Sequence, residues 1–413
     1  MSSVLDITLA PFGRKKIEWV KSYMPVLEII GSDFCKKKPF EGLKVAMSIH
    51  LEAKTAYLAE ILRDGGAEVY ITGCNPLSTQ DDVAAALAAE GLNVFARHGV
   101  GEDEYKEHLK AVLDCSPHLL IDDGGDLVQL LHGECANKTS NLIGGCEETT
   151  TGVHRLFARM RAGLLHFPMV DVNNADCKYL FDNRYGTGQS TIDGIMNTTN
   201  LMIAGKTVVI AGYGWCGRGL AMRMKGMGAL VIVTEIDPVK AIEAAMDGFR
   251  VMKMDDAAPL GDFFVTLTGC CDVIVGRHFD MMKDGAVLAN SGHFDVEINK
   301  RELEARSVKI FDRRNNIRGY RQKDGRTLNL LADGRLVNLA AANGHPAEIM
   351  DMSFALQAKS LEWLVQNKGR LENRIYPVPA EIDRYVAELK LKAIGCSIDS
   401  LTVQQKEYLE KVD

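Results

Sequence analysis

The chain has 413 residues, 46% of them hydrophobic and 25% charged, a composition that predicts two or three folded domains with ample core and excludes a disordered or fibrous chain. Its 55 acidic and 48 basic side chains give a net charge of −7, which leaves no electrostatic footprint for nucleic acid, and no apolar run is long enough to span a bilayer. With no signal-peptide pattern and ten scattered cysteines that form no C-x-x-C pair, free thiols in a reducing cytoplasm are expected.

In chain order, Lys44–Ile49 is strand-like and Ala53–Leu62 helix-like. Glu68–Thr72 is the next strand, followed by a helix through Asp81 to Glu90. His118–Ile121 is a further strand that runs into the acidic glycine turn Asp122-Asp-Gly-Gly-Asp126. Such alternation predicts a parallel α/β layer with polar groups at the strand ends, where open sheets place their ligands. The run Phe181–Ser190 breaks the pattern, and Ala342-Asn-Gly-His-Pro346 breaks it again after a second α/β unit. Two such crossings predict an α/β fold of two Rossmann-like, doubly wound parallel sheets, one unit inserted into the other, with hinges at the crossings. The inserted unit is expected over 185–345, the outer one over 1–184 and 346–378, and a helical segment over 379–413. From Asp351 the chain reads as helices. Arg313, Arg314, Arg318, Arg321, Lys323 and Arg326 surround a Lys323-Asp324-Gly325 hairpin signal and are expected to line a solvated strand face.

The inserted unit opens with the apolar strand Thr207–Ala211, the turn Gly212-x-Gly214-x-x-Gly217 and a helical stretch Leu220–Met227. Gly212 allows the tight turn, Gly214 lets backbone approach a pyrophosphate, and Gly217 lets the helix pack closely on its strand. A second strand, Leu230–Thr234, ends at Glu235, an acid placed to accept from the adenosine ribose hydroxyls and to repel a 2′-phosphate. NAD, rather than NADP, is the expected cofactor.

Four polar groups need explanation, and each has an ordinary one. His50 follows a strand and fits a capping or structural histidine; Asp122–Asp126 fits a solvated turn. Glu147-Glu-Thr-Thr-Thr-Gly152 fits a helix N-terminus, and Lys178 with Asp182 fits an i,i+4 ion pair. No His-x-x-x-His or paired-cysteine spacing is present, so no structural or catalytic metal is expected.

Taken together, Asp122-Asp-Gly-Gly-Asp-Leu, Glu147-Glu-Thr-Thr-Thr-Gly-Val, Phe181-Asp-Asn-Arg-Tyr-Gly, Ala211-Gly-Tyr-Gly, Gly292-His-Phe-Asp-Val-Glu and Gly334-Arg-Leu-Val-Asn-Leu resemble the adenosylhomocysteinase (S-adenosyl-L-homocysteine hydrolase) family. The resemblance runs in order along nearly the whole chain. It implies a hydrolase that keeps NAD as an internal catalyst. The ribose 3′-hydroxyl is oxidised, the ketone acidifies the C4′ proton, homocysteine is eliminated, water adds, and the ketone is reduced back, with no net redox change.

It also implies roles residue by residue. Lys178 matches the lysine that deprotonates the 3′-oxygen, its pKa expected to be lowered by desolvation, with Asp182 beside it and Asn183 orienting the group. Asp123 matches the aspartate of the C4′ proton chemistry, and Glu148 and Thr149 match positions that orient ribose and substrate. His50 matches the histidine of the 5′ side, and His293 and His345 those of the nucleoside and homocysteine end. Glu52, Lys54, Thr55 and Gln80 are expected substrate contacts. Thr149, Thr150, Thr151, Gly212, Gly214, Gly217, Glu235, Asn338 and His345 are expected around NAD. A homo-oligomer, a tetramer or a dimer, is implied, with a small nucleosyl-homocysteine substrate and neither nucleic acid nor membrane as partner.

Two departures from the family pattern stand out. The sequence ends at Tyr408–Asp413 without the lysine- and tyrosine-bearing tail with which many members reach a neighbour's NAD, so easier cofactor exchange is expected. After His50 the run is Leu-Glu52-Ala-Lys54-Thr55. An ammonium has three donors and no acceptor, so it suits the O6 of hypoxanthine and not the 6-amino group of adenine. The same lysine-bearing run resembles members that act on S-inosyl-L-homocysteine. The alternative is that Lys54 turns aside to pair with Glu52 or a surface acid, leaving adenine read by backbone.

Overall fold

A computed structural model describes residues 2–411. The first six strands, β1 (Lys44–Ser48), β2 (Glu68–Thr72), β3 (Asn93–Val94), β4 (Leu119–Asp122), β5 (Gly144–Glu147) and β6 (Met169–Asp171), are all parallel. The next eight, β7 (Thr207–Ala211), β8 (Leu230–Thr234), β9 (Arg250–Val251), β10 (Phe263–Thr266), β11 (Val287–Asn290), β12 (Ser307–Arg314), β13 (Ile317–Gln322) and β14 (Thr327–Leu331), form a second sheet. A last strand, β15 (Ile375–Pro377), returns to the first sheet and pairs parallel with β6. The sheet orders are β15-β6-β5-β4-β1-β2-β3 and β12-β13-β14-β11-β10-β7-β8-β9.

Each sheet is doubly wound, as expected from the alternation. Strand order reverses between β1 and β4 in the first sheet and between β7 and β10 in the second, and open sheets hold their ligands beyond the carboxyl ends of the strands at such points. The strands there are apolar on both faces. Val45 and Met47 pack into one core layer with the helices Ala53–Asp64 and Ala347–Gln366, while Ala46 and Leu120 face the other layer.

The reading of everything after Asp351 as helix needs correction, because β15 is a strand. Three residues are too few to show a period of two, and its place is set by the edge of β6. The expected break at 181–190 is also different in kind. Tyr179–Gly186 is wound as a π-helix and continues into the helix Thr187–Thr199. The Arg321–Arg326 hairpin forms between antiparallel β13 and β14. All ten cysteines are free. Among the described residues no helix is long and apolar enough to cross a membrane.

Candidate active site

At the reversal point of the first sheet, Ser48 and Asp122 are register partners, so the residues that follow them, His50 and Asp123, face each other across the crevice. His50 Nε2 stands 3.6 Å from Asp123 Oδ2, and His50 Nδ1 is 2.7 Å from Ser78 Oγ. On the other side of the carboxylate, His293 Nδ1, from the loop after β11, is 3.7 Å from Asp123 Oδ1. Gly124 makes this approach possible: its φ is +95°, and a Cβ there would lie 2.4 Å from His293 Nε2. Burial pushes His50 down to about 3, with His345 adding to the effect, and pushes His293 down to about 4 against the opposing pull of Asp123. Both imidazoles are therefore neutral near pH 7, able to accept a proton at one nitrogen and donate at the other.

His50, Asp123 and Cys74 have donor atoms within 4.8 Å of one another, a grouping of metal-ligand types that no spacing in the sequence announces. The Cys74 thiol donates to Asp123 Oδ2 at 3.4 Å, and burial followed by the field of Asp123 raises its pKa well above the ordinary thiol value. Within the group this is the one hydrogen bond, His50 Nε2 standing 3.6 Å from Asp123 while its Nδ1 turns to Ser78.

A second cluster lies where the chain first crosses between the sheets. The π-helical winding sets residues five apart above one another, and Lys178 Nζ donates to Asn183 Oδ1 at 2.8 Å. The same ammonium is 3.2 Å from Asp182 Oδ2 and 3.6 Å from Glu148 Oε1. All four side chains are buried. Burial opposes the charge on Lys178, but Asp182 and Glu148 outweigh it and hold its pKa above the ordinary lysine value. The expected lowering by desolvation is therefore corrected: in this state the carboxylates decide the sign. Asp182 is held well below the carboxylate range by Lys178 and His345 in spite of its burial. Glu148 goes the other way, raised to about 8 by burial with Lys178 opposing. The cluster then carries one firm ion pair, Lys178 with Asp182, beside a carboxyl that is protonated near neutrality.

Sequence reasoning named His345 but missed three further residues that hold this cluster, Asn173, Ser353 and Gln357. Asn173, after β6, accepts from Lys178 Nζ at 3.4 Å and from Asn183 Nδ2 at 3.3 Å. Ser353 donates to Asp182 Oδ2 at 3.0 Å, and Gln357 Nε2 donates to Glu148 Oε2. His345 Nδ1 contacts Asp182 Oδ1, and His345 Nε2 is 3.3 Å from Thr187 Oγ1. The available signal was the helix Ala347–Gln366, where Ser353, Gln357 and Ser360 place buried polar groups three and four residues apart on one face of an apolar helix.

At the far end of the crevice, Glu52 caps the helix Ala53–Asp64 by accepting from Lys54 N at 3.1 Å. Lys54 Nζ is 2.7 Å from Glu52 Oε2 and donates to the Asn343 carbonyl at 3.0 Å. Both side chains are buried, with 7% of each exposed. Thr55 Oγ1 donates to the His50 carbonyl at 2.6 Å. Gln80 does not join the cleft. It precedes the helix Asp81–Ala89, and its Oε1 accepts from the exposed Lys16 at 3.0 Å, so the expectation of a substrate contact is corrected.

The second sheet supplies a dinucleotide site. Gly212 has φ +100°. Gly214 precedes the helix Trp215–Gly226, and nothing lies within 4 Å of where its Cβ would be, so the backbone there is open to an anion. A Cβ on Gly217 would lie 2.0 Å from the Gly212 carbonyl oxygen, so this position serves helix–strand contact. Glu235 is fixed by three backbone N–H groups, from Tyr213 (2.7 Å), Ile236 (2.7 Å) and Asp237 (3.0 Å), and lines the cleft. Asn338 Nδ2 donates to Ser190 Oγ at 3.0 Å, while its buried Oδ1 has no protein partner and also lines the cleft. An unmatched buried acceptor, an open glycine turn and a preset acid fit the carboxamide, pyrophosphate and ribose of NAD. Thr149 caps the helix Thr150–Arg161 by accepting from Gly152 N, and donates to Glu147 Oε1 at 2.8 Å; Thr150 and Thr151 line the same space.

One cleft of about 1200 Å³ runs from His50 and Lys54 past Lys178 to Gly214 and Glu235. A dinucleotide turn of one sheet thus opens onto buried acid–base groups of another, which defines an NAD-binding α/β enzyme. Residues 2–143 match the family described as S-adenosyl-L-homocysteine hydrolase, and residues 183–344 match the S-adenosyl-L-homocysteine hydrolase NAD binding domain. The chain belongs to the S-adenosyl-L-homocysteine hydrolase family; it is a hydrolase, and NAD is its cofactor. Among its relatives, S-inosyl-L-homocysteine hydrolase of Methanocaldococcus jannaschii is 57% identical over 99% of each chain. Adenosylhomocysteinase of Pyrococcus abyssi is 58% identical over 98% of this chain and 96% of its own. Overall similarity therefore does not separate the two nucleobases.

Proposed function

We propose that this enzyme hydrolyses the thioether of S-inosyl-L-homocysteine, reversibly, to inosine and L-homocysteine. The observation that carries the choice of base is Lys54. Two of its three N–H groups are taken by Glu52 and the Asn343 carbonyl, and the third is left for the O6 of hypoxanthine. Glu52 keeps an oxygen for the N1–H beside it. Lys54 does pair with Glu52, as in the alternative set out above, and the inosyl reading rests on the N–H that this pairing leaves uncommitted, so that Lys54 reads the base as part of a fixed ion pair. Adenine presents its acceptor at N1 and its donor at N6, the reverse order, and S-adenosyl-L-homocysteine is the second reading on the strength of the Pyrococcus relative.

NAD held by Gly212, Gly214, Glu235 and Asn338 supplies a reversible oxidation at the ribose 3′-carbon. The protein's own groups do the rest. Lys178, oriented by Asn183 and Asp182, binds the 3′-oxygen and relays its proton. Asp123 handles the C4′ proton, its carboxyl raised by burial so that it both takes and returns one. His50, neutral, relays protons instead of supplying its own: as one ring nitrogen gives a proton to the departing sulfur the other takes the one that Asp123 removed from C4′, and the relay runs backwards when water enters. Glu148 and Thr149 hold the ribose, and His293 and His345 close the two ends. Residues 2–184 and 346–378 form the substrate-binding unit, 185–345 the NAD-binding unit, and 379–411 a helical segment, the expected ends at 1 and 413 lying outside the described residues; the two crossings act as hinges. The enzyme works as a homo-oligomer in the cytoplasm.

The test is the release of free thiol from S-inosyl-L-homocysteine by purified enzyme while the nicotinamide absorbance returns to its starting value. Stoichiometric accumulation of reduced nicotinamide would make the protein a dehydrogenase instead, and no thiol from either nucleoside would remove the hydrolase reading.

A further inference from the structure

Arg155, in the helix Thr150–Arg161, reaches two loops that belong to different sheets. Its Nη1 donates to the Gly124 carbonyl at 2.8 Å and stands 3.2 Å from Asp126 Oδ1, both in the turn after β4. Its Cζ also lies 4.6 Å from the centre of the Phe294 ring, in the loop after β11. Phe294 meets the His293 ring edge-on, with centroids 4.6 Å apart and planes at 82°. The backbone of this loop is pinned from its own side, where Asn290 Nδ2 donates to the Phe294 carbonyl at 2.9 Å and the Gly292 carbonyl at 3.1 Å. Arg155 is half-exposed, and an ion pair with Asp126 alone is worth little there. What the guanidinium adds is a bridge: one planar group stacks on a ring of the second sheet and hydrogen-bonds to backbone of the first.

We propose that Arg155 is a positioning residue that latches the Phe294 loop of the NAD-binding unit onto the Gly124 loop of the substrate unit, and so holds His293 beside Asp123 while the cleft is closed. This rests on the NAD-dependent hydrolase reading. Its consequence follows from the redox balance of that reaction. Between oxidation and re-reduction, two electrons reside on the nicotinamide and the nucleoside is a 3′-ketone. If the cleft opens in that interval, the ketone leaves and the enzyme keeps reduced nicotinamide, which stops the cycle. The latch thus protects the cofactor's return to its starting state.

The experiment follows thiol release and nicotinamide absorbance together in the holoenzyme, for wild type, Arg155→Met, Phe294→Leu and the double variant. Arg155→Met is expected to lower kcat about 5-fold with KM little changed, since the stacking on Phe294 and the bond to the Gly124 carbonyl are lost together. Its progress curves are expected to slow as reduced nicotinamide accumulates, while bound NAD and the unfolding midpoint stay at wild-type values. Phe294→Leu gives the same phenotype, and the double variant is no worse than either single one. Unchanged turnover with no trapped reduced nicotinamide, or multiplicative single effects, overturns the latch. If Arg155→Met fails to fold, Phe294→Leu leaves the Gly124 and Asp126 bonds in place and carries the same test. Wild-type enzyme that releases no thiol from either nucleoside defeats the hydrolase reading itself, a result distinct from failure of the latch.

Discussion

Lys178, which caps the π-helix Tyr179–Gly186, and Asp182 within it form a buried ion pair of 3.2 Å, and the pair makes the lysine hold its proton more firmly. A base at this position must hand that proton on before it can take another, and the contact of Asp182 with His345 offers the route. In Asp182→Asn the larger countercharge is gone, Glu148 alone is left to oppose burial, and the pKa of Lys178 falls. The ascending limb of 3′-oxidation, followed by rapid-mixing nicotinamide absorbance, should move to lower pH. The maximal rate should drop about 100-fold, because the proton relay is broken. An unmoved limb contradicts the assignment of Lys178.

Glu148 gives a stability prediction of definite sign. Its carboxyl is raised from 4.5 to about 8, so between those values the native state binds more protons than the unfolded one. Its contribution to stability is whole below about 4.5 and is lost as pH rises through about 8. Glu148→Gln removes this dependence while keeping a partner for Gln357. The variant should match or fall below wild type in unfolding midpoint at pH about 4 and exceed it at pH about 9. The reverse order would show that Glu148 is ionised in the folded protein.

The glycine turn separates folding from cofactor binding. A Cβ on Gly214 meets nothing within 4 Å, whereas one on Gly217 comes within 2.0 Å of the Gly212 carbonyl. Gly214→Ala should therefore keep the apo-enzyme's thermal midpoint and lose NAD affinity. Gly217→Ala should lose both, at a cost of about 1–3 kcal/mol in stability. Calorimetry of apo-protein and titration with NAD separate the two.

Much of this was legible in the sequence, and the limits have physical causes. At the reversal points β1, β4 and β7 could be read because they are apolar runs ended by a histidine, an acid and a glycine, whereas the four-residue β10 could not; the glycine turn could be read because its spacing follows from backbone contact with an anion. β15 could not, since its pairing is fixed by the distant β6 edge. Asn173, Ser353 and Gln357 act through other side chains: Ser353 and Gln357 show only as polar breaks in an apolar helix, their partners Asp182 and Glu148 lying far along the chain, and Asn173, five residues before Lys178, follows a strand of three residues that shows no period. The sign of the Lys178 shift needed the distances to Asp182 and Glu148, because burial alone argues for the opposite direction.

Base recognition is the central claim, and the ratio of kcat/KM for S-inosyl- over S-adenosyl-L-homocysteine tests it most directly, in wild type and in Lys54→Gln. Lys54 donating to O6 predicts a wild-type preference for the inosyl substrate of roughly 100-fold or more, since the wrong base leaves a buried donor facing a donor. An amide offers both a donor and an acceptor, so Lys54→Gln should bring the ratio close to one. Wild-type enzyme that prefers S-adenosyl-L-homocysteine, with Lys54→Gln leaving the ratio unchanged, would contradict it.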